Sequence, residues 1–265
     1  MFKGFQDTSR SPMFRGFPNL NFQMNNERFG LSGAAFDLNP LINKISSNAD
    51  GASISYWTDD IGGYKYIQDA AASQPIYDAS DANFNNLPVV GFNSTTTVCN
   101  LTVTTGAGIG ISKASSILCV VYQRAALAAG TNRVARITWG TDLTAAVGQG
   151  FLYDAQNAAL TGKIGMNYTN GSANSALLTN TGYDANPHIV LINNEKICVD
   201  GAIATNSDNA GNYSTTAYRF GGVNSGTQSG HFILARFIVW EGYGQQNDLF
   251  LTGLSDIINQ TYAIY

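Results

Sequence analysis

The stretch His188-Ile189-Val190-Leu191-Ile192, followed by Lys196-Ile197-Cys198-Val199-Asp200-Gly201-Ala202-Ile203-Ala204, decides the fold class. The first run is an apolar strand. The second reads as two short alternating strands joined at Asp200-Gly201, a pair that tolerates the positive φ angles of a tight hairpin turn. Beyond it lie a glycine corner, Phe220-Gly221-Gly222, and the long apolar strand Phe232-Ile233-Leu234-Ala235-Arg236-Phe237-Ile238-Val239-Trp240. Asn247 then caps a terminal helix, expected over residues 247–260, on which Phe250, Leu254, Ile257 and Ile258 share one face.

Upstream the signals are the same. Ser116-Ile117-Leu118-Cys119-Val120-Val121-Tyr122 is a continuous apolar run, as expected of a strand covered on both faces. Residues 133–140, 151–153 and 163–168 add further strands between Gly- and Asn-rich turns, the spacing of a sandwich or jelly roll. The composition agrees. A chain of 265 residues with 28 Gly and only 12% charged residues is turn-rich with a neutral polar surface. A net charge of −4 supplies no basic field for a phosphate backbone, so nucleic acid is not an expected partner. No run reaches the roughly 18 apolar residues of a membrane span, and residues 1–18 lack the apolar core of a signal peptide. Cys99, Cys119 and Cys198 have no short spacing, and Cys119 and Cys198 sit in strand patterns as small core residues.

Residues 1–50 read as a separate N-terminal arm, with the sandwich over 51–265. Phe2-Lys3-Gly4-Phe5 is echoed twelve residues later by Phe14-Arg15-Gly16-Phe17. Such aromatics without a regular period either pack back on the sandwich or dock on a partner, and the repeat favours an attachment arm carried by Phe2, Phe5, Phe14 and Phe17. A short helix is expected over 39–45, with Pro40 at its first position.

From Ala52 alternation begins: Ile54, Tyr56, then Trp57-Thr58-Asp59-Asp60-Ile61-Gly62, then Tyr64 and Tyr66. Gln68, Gln74-Pro75-Ile76-Tyr77 and Asn86-Leu87-Pro88-Val89-Val90-Gly91-Phe92 follow. This series resembles a module of bacteriophage structural proteins, "W-x-D-x-x-G", "Q-P-x-[IY]" and "N-x-x-P-V-V-x-F". The C-terminal third resembles the end of a concanavalin A-like sandwich of the laminin-G or pentraxin type. Together they imply an all-β, two-sheet antiparallel jelly roll with an N-terminal arm and a C-terminal helix. They also imply a virion structural protein, on a capsid, head fibre or tail. The arm would bind other virion proteins, such as major capsid or tail proteins, in a homo-oligomer, with a trimer favoured. The sandwich would stand at the virion surface and adhere weakly to host or environmental glycans.

Glycosidases on such sandwiches use two carboxylates on one strand, spaced so that both point to one face. This chain has three Glu, at 27, 195 and 241, none two or four residues from another. His188 and His231 each precede a strand with no nucleophile motif nearby, so a strand-end His bonded to a turn is the expectation. No cofactor is expected, and the resemblance allows at most a calcium ion at the rim, where Asp59, Asp60, Asp142, Asp154 and Asp208 lie in or near loops. Sugar stacking would fall to Trp57, Asp59, Asp60, Tyr64 and Tyr66, with Tyr243 at a second place; the competing reading makes Trp57 and Trp240 core anchors. The alternatives to a displayed virion sandwich are a carbohydrate-active enzyme, a free lectin and a non-glycan interaction module.

Overall fold

A computed structural model describes residues 23–25, 28–30, 34–42, 44–59, 61–92, 99–103, 111–112, 116–124, 137–140, 149–154, 164–169, 174–178, 185–193, 196–205, 214–215, 217–221, 232–241 and 247–265. Along the chain these form β1 (Gln23–Asn25), β2 (Arg28–Gly30), β3 (Ala34–Leu38), β4 (Tyr56–Thr58), β5 (Lys65–Ile67), β6 (Ile76–Asp81) and β7 (Leu87–Phe92). Then come β8 (Asn100–Val103), β9 (Ile111–Ser112), β10 (Ser116–Arg124), β11 (Ile137–Gly140), β12 (Gln149–Asp154), β13 (Ile164–Thr169) and β14 (Asn174–Leu178). The last are β15 (Pro187–Asn193), β16 (Lys196–Val199), β17 (Ala202–Thr205), β18 (Ser214–Thr215), β19 (Ala217–Gly221), β20 (Phe232–Glu241) and the helix α1 (Asp248–Tyr262).

Sixteen of these strands build two antiparallel eight-stranded sheets, β1–β2 and β9–β18 forming two-stranded ribbons, so the protein is an all-β sandwich with a C-terminal helix. The first sheet runs β17-β16-β15-β10-β20-β7-β6, with β3 joining β20 beside β7; the second runs β14-β13-β12-β11-β19-β8-β5-β4. Alternation along the first sheet splits its side chains between two cores. Val120, Tyr122, Val190, Ile192, Phe237 and Val239 meet Trp57, Tyr66, Leu101 and Phe220 of the second sheet. Their neighbours Cys119, Val121, Ile189, Leu191, Ile238 and Trp240 point the other way, against Phe250, Leu251, Leu254, Ile258 and Tyr262 of α1. The central strands β15, β10 and β20 are therefore buried on both faces, which is why they read as apolar runs. Each large apolar side chain sealed in this way contributes roughly 1.5–3 kcal/mol.

A β-bulge sets up a buried ion pair. Against β10, β20 pairs Val121 with Arg236 and Tyr122 with Leu234, leaving Ala235 as the extra residue. The bulge turns Ala235 and Arg236 both toward α1. There Arg236 Nε donates to Asp37 Oδ1 at 3.0 Å and Nη2 to Asp37 Oδ2 at 2.7 Å, a bidentate pair closed off from water.

The Asp200-Gly201 hairpin forms as expected, with φ of 50° and 79° at its two central residues. The glycine corner has its own reason: a Cβ on Gly221, at φ 98°, would lie 2.1 Å from the Cys99 carbonyl oxygen. Asn247 caps α1, its Oδ1 accepting the Phe250 N–H at 2.9 Å, and Phe250, Leu254 and Ile258 are buried while Ile257 is half-buried. All three cysteines are free and buried; burial pushes the Cys198 thiol up to about 12 and the Cys119 thiol higher still.

Two expectations need correction. The helix at 39–45 is only a 3-10 turn, Pro40–Ile42, because residues 44–46 pair with β4: Ile45 bridges Trp57, and the Ser46 N–H reaches the Tyr56 carbonyl. The sandwich also begins before residue 51, since β3 is hydrogen-bonded to β20 from Phe237↔Leu38 to Trp240↔Ala34. Composition placed the boundary at 50 because the short β3 carries no periodic signal of its own. The arm residues Phe2, Phe5, Phe14 and Phe17 lie outside the described residues.

Candidate functional site

The "W-x-D-x-x-G" segment forms the β4–β5 hairpin, at the edge of the second sheet, and the structure assigns each of its motif residues a place. Trp57 and Tyr66 stand opposite each other in register and face the core, 0% and 1% exposed. Tyr66 meets Phe220 edge-to-face at 5.2 Å, and Phe220 meets Phe237 of the other sheet in the same manner at 5.0 Å. These rings stitch the two sheets together. Asp59, also sealed from solvent, holds the turn: Oδ1 accepts the N–H of Ile61 at 3.1 Å and Oδ2 that of Gly62. The same Oδ1 accepts the Asp37 N–H at 2.7 Å, tying the hairpin to β3. Burial raises the Asp59 pKa above its ordinary value, against the opposing pull of these backbone donors. The Tyr64 ring lies on Gly62, where a Cβ would come within 2.4 Å of Cε2.

The expected sugar-stacking set is therefore corrected. Trp57, Asp59 and Tyr66 are closed to solvent and present no face to a ligand, and Tyr64 is half-buried and packs against the same core. The motif is a structural staple, and Trp57 and Trp240 are core anchors. Asp60 and Tyr243 lie outside the described residues.

What faces out was missed. Tyr56 and Lys65 are one residue out of phase with Trp57 and Tyr66, and the Lys65 ammonium sits 3.9 Å from the centre of the Tyr56 ring. Tyr56 pairs with Ile67, Ile67 with Thr102 and Thr102 with Arg219, so this row runs across β4, β5, β8 and β19. Arg219 Nε donates to Thr102 Oγ1 at 3.0 Å. Arg219 is buried and its pKa is lowered from its ordinary value by desolvation. Lys65 is exposed, and Tyr56, Ile67 and Thr102 are half-buried. The available signal was alternation: had the phase of β4 been known, Tyr56 and not Trp57 would have been chosen.

The histidine expectation holds for His188. Its Nδ1 lies 2.7 Å from Asp200 Oδ2, while Asp200 Oδ1 accepts the Ile189 N–H at 2.8 Å, so the dyad fixes the start of β15 on the hairpin turn. Among the described residues no three His, Cys, Asp or Glu side chains gather as a metal site. Asp142 and Asp208 lie outside the described residues, and Asp154 closes β12.

No protein-family model and no curated protein sequence matches this chain. Solved structures do. The binding domain of Paraclostridial Mosquitocidal Protein 1 matches with a TM-score of 0.53 at 11% identity, over 85% of this chain and 52% of that one. The binding domain of botulinum neurotoxin serotype D matches with a TM-score of 0.51 at 11% identity, over 84% of this chain and 51% of that one. A Trypanosoma rangeli sialidase matches with a TM-score of 0.50 at 13% identity, over 86% of this chain and 33% of that one. The chain thus spans a third to about half the length of these proteins. At such identities the likeness is one of fold: a β-sandwich of the kind these proteins contain.

Proposed function

We propose that this chain is a non-catalytic recognition domain of a virion structural protein, attached by its N-terminal arm and displayed at the virion surface, where the sandwich adheres weakly to glycans. The observation that supports the non-catalytic part is the use made of the buried carboxylates among the described residues. Asp37 is bound to Arg236, Asp59 to three backbone N–H groups and Asp81 to the N–H of Asn83, each in a role that holds the fold. Recognition is supported by the fold, which the chain has in common with two domains described as binding domains. The virion setting rests on the sequence resemblance of the segment from Trp57 to Phe92 and on the repeated aromatic arm.

Replacing Phe2, Phe5, Phe14 and Phe17 together by Ser in the full chain tests the reading. Circular dichroism and melting temperature should stay unchanged, while light scattering shows loss of the oligomer and a glycan microarray shows retained binding. Full assembly by this variant would remove the arm from the account. Hydrolysis of any arrayed glycan by the unaltered chain would replace the recognition reading with an enzyme.

A further inference from the structure

The pairing of β4, β5, β8 and β19 in the second sheet has no register shifts, so it assigns their described residues to one of two faces. One face belongs to the core through Trp57, Tyr66, Leu101, Phe220 and Ile164. The other carries the row Tyr56, Ile67, Thr102 and Arg219, in register across four strands. Among the described side chains of these four strands, none on this second face is Asp or Glu, whereas Lys65 and Arg219 are cations. The whole chain has 18 acidic residues and a net charge of −4, so this face runs against the overall balance.

We infer that the outer face of the second sheet, at Tyr56, Lys65, Ile67 and Thr102, binds an anionic glycan. The inference rests on the glycan-recognition reading above and names its ligand class. Charge complementarity selects the ligand: an exposed ammonium stands at the open end, and a buried guanidinium lies two strands further in. Lys65 is held over the Tyr56 ring, so its ammonium is partly positioned before a ligand arrives. Ile67 and the Tyr56 ring supply apolar surface for the C–H face of a sugar, and hydroxyls at Thr58 and Thr102 lie in the same sheet for its OH groups.

Titration of the full chain with oligogalacturonate, a neutral galacto-oligosaccharide of equal length, and poly-glutamate tests this. Lys65→Gln serves as the site variant. Lys196→Gln is the control, since Lys196 pairs with Asp248 at the start of α1, on the helix side of the first sheet. Oligogalacturonate should bind, Lys65→Gln should weaken it about tenfold with an unchanged melting temperature, and Lys196→Gln should leave it unaltered. Equal binding of neutral and acidic sugars, insensitive to Lys65→Gln, overturns the anionic site but leaves glycan recognition standing. Absence of any sugar binding removes both. Poly-glutamate binding as tightly as oligogalacturonate, or equal weakening by the two lysine variants, reduces the face to a non-specific polyanion surface and overturns the proposal.

Discussion

Two faces of this sandwich, one on each sheet, were built by the same alternation and ended in opposite conditions. The α1 face of the first sheet is closed: Phe250, Leu254, Ile258 and Tyr262 cover it, and the Arg236–Asp37 charge pair beneath them is bidentate and buried. The outer face of the second sheet, at the β4–β5 hairpin, carries an exposed lysine over a half-buried tyrosine. A polar group on the first face has to be satisfied within the protein, whereas the Lys65 ammonium on the second keeps its contact with water. That is why the residues holding the fold and those suited to recognition alternate in one short hairpin, Trp57 and Tyr66 inward, Tyr56 and Lys65 outward.

The largest effect that can separate the faces lies at Arg236. Arg236→Ala strands the Asp37 carboxylate beneath α1, and urea unfolding should show a loss of about 3–5 kcal/mol, against less than about 0.5 kcal/mol for Lys65→Gln on the outer face. Comparable losses for the two would erase the distinction. A smaller, pH-dependent effect is expected where the faces join. The folded-state pKa of Asp59 is raised above its unfolded value of about 3.8, so the folded protein holds this proton more tightly. Its contribution is complete below the unfolded pKa and is lost as pH rises through the folded one. The melting temperature of the unaltered chain should therefore gain on that of Asp59→Asn as pH falls from 7 towards 4. A gain in the opposite direction would mean that the backbone donors outweigh desolvation.

Much of the fold was legible because it rests on local signals. The double burial of β10, the Asp200-Gly201 turn and the Asn247 cap each follow from a few adjacent residues. The Arg236–Asp37 pair did not, for it joins residues 199 apart and needs a bulge at Ala235 to aim the arginine. The site failed for a related reason. β4 is three residues long and holds two adjacent aromatics, so alternation alone cannot tell which of Tyr56 and Trp57 faces in. What decides it is Tyr66 across the hairpin and Phe220 behind it, a long-range packing choice.

Backbone amide chemical shifts followed by NMR during oligogalacturonate titration test the division of faces most directly. The account predicts shifts centred on Tyr56, Thr58, Lys65, Ile67 and Thr102, with α1 and the His188–Asp200 turn unmoved. Shifts centred on α1 or on Asp200-Gly201, with the β4–β5 hairpin silent, would contradict it.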